Sequence, residues 1–213
     1  MKSWFYTVFV GTVRIPFKLV CRLRVHGAEN EPDAADGPYI ICANHTFFAD
    51  PVFLGAATRK QQPHFMAKKE LFRIPLLNLL IKSLGAFPVD RGGADVTAIK
   101  KSIAMVKDGK CVGIFPQGHR NVGVDPRQTE IHHGLGIIAS RTQATILPCY
   151  IRMKDYKFSF GHRMDVVIGK PMTYEEYSAG LSGTAEYTAI TEKVFDRICT
   201  LGEDFLREQE KAK

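Results

Sequence analysis

The chain has no cysteine pattern that would hold a metal or a disulfide frame. Its five cysteines, Cys21, Cys42, Cys111, Cys149 and Cys199, are odd in number, scattered, and never spaced as Cys-x-x-Cys. That excludes a disulfide scaffold and a zinc module, and it fits a reducing compartment. Cys42, Cys111 and Cys149 sit in apolar runs and read as buried, inert thiols. Low-complexity segments and internal repeats are also missing, and with 45% hydrophobic residues disorder is excluded. A length of 213 residues suits one domain with a sizeable core. A membrane span is lacking too. The apolar stretch from Trp4 to Val13 is shorter than the roughly 20 residues a span needs. Lengthening it takes in Arg14 and Pro16, and an arginine at mid-span costs about 2.5–3.5 kcal/mol. No small-x-small cleavage site follows, so a signal peptide is not indicated.

The first 24 residues contain no acid, yet they hold Lys2, Arg14, Lys18, Arg22 and Arg24. Residues 59–73 hold five bases against Glu70. Since the whole chain carries +7, these two stretches exceed the total and the remainder is slightly acidic. A localised excess of this kind points to an anionic partner. Ser3, Thr7, Gly11, Arg14 and Lys18 fall on one helical face, with Trp, Phe, Val and Leu around the rest. The spacing predicts a helix over residues 1–24 lying in the membrane interface, its bases toward anionic headgroups; a helix docked on its own domain is the alternative. The bases are not interleaved with aromatics on a recognisable nucleic-acid module, so no nucleic-acid partner is expected.

Beyond an acidic linker at 28–37, short apolar runs alternate with helical patterns. Strands are expected at 39–43, 64–67, 86–89, 111–115 and 145–151, most of them buried on both faces, with a further strand within 160–171. Helices are expected from Pro51, over 76–84, over 95–109 with Gly109 as the stop, and from near Gly134. Tyr187, Ile190, Val194, Ile198, Leu201 and Phe205 form the apolar stripe of a closing helix. The pattern predicts a single α/β domain over 25–213, with a central, mostly parallel sheet flanked by helices. Ligands in such domains bind in loops at the carboxyl ends of strands.

One such loop carries Ala43-Asn44-His45-Thr46-Phe47-Phe48-Ala49-Asp50-Pro51. Asp50 before Pro51 reads as a helix N-cap, which is a sufficient structural task for the carboxylate. His45, after a strand, is a candidate for acid/base work. The two can touch only if His45 lies outside the helix, since five helical residues are separated by about 140°. Three further stretches follow in order: Gly85-Ala86-Phe87-Pro88-Val89-Asp90-Arg91-Gly92, Gly113-Ile114-Phe115-Pro116-Gln117-Gly118-His119-Arg120, and Ile146-Leu147-Pro148-Cys149-Tyr150.

With these four blocks the chain resembles the glycerolipid acyltransferases that make phosphatidic acid from lysophosphatidic acid, over roughly residues 24–172. His45 and Asp50 match the family's His-x4-Asp block, Phe87 to Arg91 the second, Phe115 to Arg120 the third and Leu147-Pro148 the fourth; residues 67–75 also look like the family. The resemblance implies that His45 is the general base taking the acceptor's hydroxyl proton. Asp50 would orient its imidazole. Backbone amides around Gly118 would serve a developing oxyanion. Arg91 and Arg120, assisted by Lys68, would hold the acceptor phosphate. The acyl donor would be a thioester of acyl carrier protein or coenzyme A, and the enzyme would sit on the cytoplasmic face of the cell membrane. No cofactor or metal is expected; His132 and His133 are adjacent, point differently, and have no further ligand cluster. Members usually carry Glu and Thr where this chain has Gln117 and His119, and Ser at Asn121. Gln117 is expected to hydrogen-bond Arg91 or Arg120 while withdrawing a negative charge from the phosphate site. The departures leave another acceptor open, whether a different lysophospholipid, a lyso-aminolipid or glycerol 3-phosphate. A non-catalytic membrane-binding protein is the remaining alternative.

Overall fold

The computed structural model describes residues 4–89 and 96–212. The order of elements is α1 (Trp4–Val20), β1 (Arg24–His26), β2 (Tyr39–Ala43), α2 (Asp50–Ala57), β3 (Pro63–Lys68), α3 (Pro75–Ser83), β4 (Phe87–Val89), α4 (Val96–Lys107), β5 (Cys111–Ile114), α5 (Gly134–Thr142), β6 (Thr145–Arg152), β7 (Asp165–Ile168), α6 (Tyr174–Tyr177) and α7 (Gly183–Lys211). The seven strands form one sheet in the order β1-β7-β6-β2-β5-β3-β4. All pairings are parallel except β6 with β7.

Period-two alternation explains why the central strands read as continuous apolar runs. Along β2, Ile40 and Cys42 point into the layer built by Leu135 and Ile138 of α5 and Ile190, Val194 and Ile198 of α7. Tyr39, Ile41 and Ala43 point the other way, against Phe53 and Leu54 of α2. The expected stripe on α7 is therefore a core face, with Ile190, Val194, Ile198 and Phe205 buried. Gly109, at φ +77°, ends α4 by returning its N–H to Val106 O.

The first helix both docks and stays exposed. Tyr6 is buried and donates its hydroxyl to Gly55 O on α2 at 3.2 Å, while Trp4, Ile15 and Leu19 face outward. The helix ends at Val20, and Cys21 and Leu23 are already inside the core. Among the described residues no helix is long and apolar enough to cross a membrane. The short edge strand β1 has no counterpart in the sequence reading. It is anchored through Asp165, whose buried carboxylate takes His26 Nε2 at 2.9 Å and Arg163 Nη2 at 2.7 Å.

Candidate active site

Because β2 to β6 run parallel, the loops leaving them converge at one edge of the sheet. The central of these loops carries His45. Its Nδ1 lies 2.8 Å from Asp50 Oδ2, with His45 outside α2 as the spacing required. A buried carboxylate oxygen can only accept here, so Nδ1 carries the hydrogen and Nε2 is the nitrogen left for a substrate. The side chain of His45 is 8% exposed and that of Asp50 fully buried.

The cap reading of Asp50 is corrected by its bonds. Ala49 occupies the N-cap position without a side-chain bond, and Asp50 begins the helix ahead of Pro51. Its Oδ2 instead gathers three donors at 2.8 Å: His45 Nδ1, Thr46 N and Phe47 N. The turn between the pair thus presents two amides to the carboxylate, which is how a buried charge is compensated. Asp50 Oδ1 is buried with no hydrogen bond among the described residues.

The backbone around His45 is held from other strands. Its N–H donates to Gln117 Oε1 at 2.6 Å, and its carbonyl accepts from Asn121 N at 2.9 Å. Asn44 uses both ends of its amide on Ile151 of β6, at 3.0 and 2.8 Å. The imidazole stacks on Phe115 at 4.2 Å between centroids, and Phe115 in turn stacks on Phe65 at 5.6 Å. Gly113 makes room for that stack, since a Cβ there would come within 2.0 Å of the Phe65 ring. The main chain and ring face of this imidazole are thus both fixed, which preorganises it.

Gln117 departs from its expected place. It is fully buried, and its amide spans His45 N–H and Thr129 Oγ1, the latter at 2.7 Å, rather than reaching Arg120. The reason is topological: the residue follows β5, which pairs directly with β2, so its side chain lies beneath the histidine loop. Gly118, at φ +69°, turns the chain back, and its N–H is spent on Phe115 O. Among the described residues the amides of His119 and Arg120 have no such partner. Arg120 is exposed beside them. Lys68 ends β3 half-exposed, with Nζ 3.7 Å from Glu70. Arg91 lies outside the described residues. His132 packs over Gly118, with its ring 6.4 Å from that of His119, and among the described residues no cluster fit to hold a metal occurs. All five cysteines are free and buried; burial pushes the Cys111 thiol up to about 12 and that of Cys42 well above its usual range. Asn44 is the site residue the sequence reading missed. Its only local signal is its place next to the histidine.

Comparison with known proteins bears on this arrangement. The acyltransferase family model matches residues 22–152. The chain is 31% identical over 195 residues to the 1-acyl-sn-glycerol-3-phosphate acyltransferase of Bacillus subtilis, covering 91% of this chain and 94% of that protein. It is 32% identical over 146 residues to the Streptococcus pneumoniae protein of the same name, covering 68% of this chain and 53% of that one. The crystal structure of the 1-acyl-sn-glycerophosphate (LPA) acyltransferase PlsC from Thermotoga maritima shares the fold, with a TM-score of 0.62 at 21% identity over 98% of this chain and 90% of that chain.

Proposed function

Since the chain belongs to the acyltransferase family, we infer that it is a 1-acyl-sn-glycerol-3-phosphate acyltransferase of phospholipid biosynthesis, moving a fatty acyl group to the free hydroxyl of lysophosphatidic acid to give phosphatidic acid. The observation that carries its chemistry is the His45 Nδ1 to Asp50 Oδ2 bond of 2.8 Å, which leaves Nε2 as the base nitrogen. Nε2 takes the acceptor's hydroxyl proton as the oxygen attacks the thioester carbonyl. Asp50 holds the reactive tautomer and stabilises the imidazolium that forms. The tetrahedral adduct collapses by breaking the carbon–sulfur bond, and the imidazolium proton leaves with the thiolate. Its oxyanion falls to the amides of His119 and Arg120, which have no partner among the described residues. Arg120, Arg91 and Lys68 supply cations for the acceptor phosphate. The donor is a fatty acyl thioester of acyl carrier protein or coenzyme A, and α1 holds the enzyme peripherally on the cytoplasmic face of the membrane.

The test presents the purified chain in detergent with lysophosphatidate, a panel of other lysolipids, and each thioester in turn, following thiol release and lipid product. His45→Ala should lower turnover about 10²–10⁴-fold while the chain stays folded, its melting temperature lowered because Asp50 Oδ2 loses one of its three donors. Wild-type turnover in that variant overturns the mechanism. Asp50→Asn should also lose turnover, because its new NH2 falls where the buried Oδ1 has no partner.

A further inference from the structure

The connection from β5 to α5, residues 115–133, brings three things to the site: Gln117 against the His45 N–H, the amides of His119 and Arg120, and Asn121, whose N–H holds the carbonyl of His45. A connection longer than about 12–15 residues is uncommon in a compact domain and is usually functional. Its geometry depends on what fastens it from outside. Halfway along, Arg127 of the short turn Pro126–Gln128 reaches α7 and commits its whole fork there. Its Nε lies 2.6 Å from Glu203 Oε1, its Nη2 donates to Thr200 Oγ1 at 3.0 Å, and its Nη1 pairs with Asp196 Oδ1. Asp196, Thr200 and Glu203 are spaced by four and three residues, so one face of α7 receives the guanidinium. Among the described residues no other side chain of this connection hydrogen-bonds α7. The turn itself is fixed at its base, where Asp125 takes the Arg127 N–H on Oδ1 and the Tyr156 hydroxyl on Oδ2, each at 2.9 Å, and Pro126 is buried. From there consecutive bonds lead to the imidazole loop. Pro126 O accepts from Thr129 Oγ1 at 2.7 Å, Thr129 Oγ1 accepts from Gln117 Nε2 at 2.7 Å, and Gln117 Oε1 accepts from His45 N at 2.6 Å.

Resting on the reading of His45 as the base of an acyltransferase, we propose that Arg127 is a positioning residue for acyl transfer: it fastens the β5–α5 connection to α7 and, through Thr129 and Gln117, sets the position of the His45 main chain. Stability does not account for this clamp. The Arg127 side chain is 40% exposed, and ion pairs in such surroundings add little to folding. The helix it grips is already held by its buried face of Ile190, Val194, Ile198 and Phe205. What a planar fork fixed at three points does supply is one orientation of the residue that carries it. Proton transfer responds to displacements of a fraction of an ångström, so a contact of small folding value is felt in turnover. α7, which contributes no side chain to the site, thereby becomes its mechanical reference.

The experiment uses the full chain in detergent with lysophosphatidate and an acyl thioester, well below the melting temperature, and reads turnover per folded molecule together with the Michaelis constant for the acceptor. Arg127→Met should lower turnover about 3–10-fold and leave the Michaelis constant where it was. Cutting the same clamp from the α7 side, with Asp196→Asn and Glu203→Gln together, should reproduce that fall. Thr129→Val removes the next link and should lower turnover at least as far, and adding Arg127→Met to it should lower turnover no further, because the two act in series. Wild-type turnover in Arg127→Met, a fall accompanied by a raised Michaelis constant, or losses that multiply in the double variant each overturn the proposal. His45→Ala measured alongside separates the two failures: a loss there with none in Arg127→Met removes the positioning role and leaves the base in place.

Discussion

Replacing Gln117 tests how far catalysis depends on a fully buried side chain that fastens the His45 loop. In Gln117→Ala, the buried His45 N–H loses its acceptor at 2.6 Å, and Thr129 Oγ1 loses a donor at 2.7 Å. An unsatisfied buried donor costs about 1–3 kcal/mol. For a chain of this size that lowers the melting temperature by about 2–4 °C per kcal/mol. Turnover should fall more steeply, about 10–100-fold, because a displacement of the base by a fraction of an ångström is felt fully in the transition state. Gln117→Glu is the sharper variant. One carboxylate oxygen still accepts from His45, but the other faces Thr129 Oγ1, whose hydrogen is committed to Pro126 O at 2.7 Å. Either two acceptors confront each other or the threonine abandons the carbonyl, so a bond is lost in both cases. Steady-state kinetics with calorimetry should show lower turnover and a lower melting temperature in both variants, with the Michaelis constant for the acceptor unmoved. A Glu variant of wild-type stability whose only change is a raised Michaelis constant for an anionic acceptor would refute this, placing residue 117 against the phosphate.

Gly113→Ala sets a Cβ 2.0 Å from the Phe65 ring and should destabilise by about 1–3 kcal/mol, disturbing the Phe65–Phe115–His45 stack; an unchanged melting temperature and turnover would show that the stack has slack. His64 is held below its ordinary value chiefly by burial, so the folded state binds its proton less readily than the unfolded chain. Its contribution is complete above the unfolded value of about 6.5 and is lost as pH falls below it. Urea titrations at neutral and mildly acidic pH should therefore show a loss of stability that is reduced in His64→Gln, and an identical loss in both proteins would assign it elsewhere.

The parts of this molecule legible in its sequence are those governed by near neighbours. Each central strand was visible as an apolar run, and α7 as a stripe, because burial on two faces or one leaves a periodicity of its own. The contact between His45 and Asp50 was legible as a condition, that the histidine lie outside the helix. What Asp50 does was misread, since the local rule for Asp before Pro favours a cap while the folded loop offers the same oxygen two amides and an imidazole. Gln117 and Asn44 were misplaced or missed because their partners come from strands whose adjacency no local pattern encodes. The same holds for β1, three residues long and defined only by pairing with β7. Arg91, expected at the phosphate, lies outside the described residues.

The bonds that fasten the histidine loop also set when the enzyme becomes active as it folds. His45 and Asp50 are near neighbours, but the main chain of His45 is pinned by a residue 72 positions later, and Asn44 by one 107 positions later. Contacts of such sequence separation close late, since loop entropy is lost before they form. A chain that has made α2 and β2 alone owns both members of the pair and still lacks an imidazole held in register. Turnover is therefore a gauge of completed topology, and during refolding it should return after the helical signal has recovered.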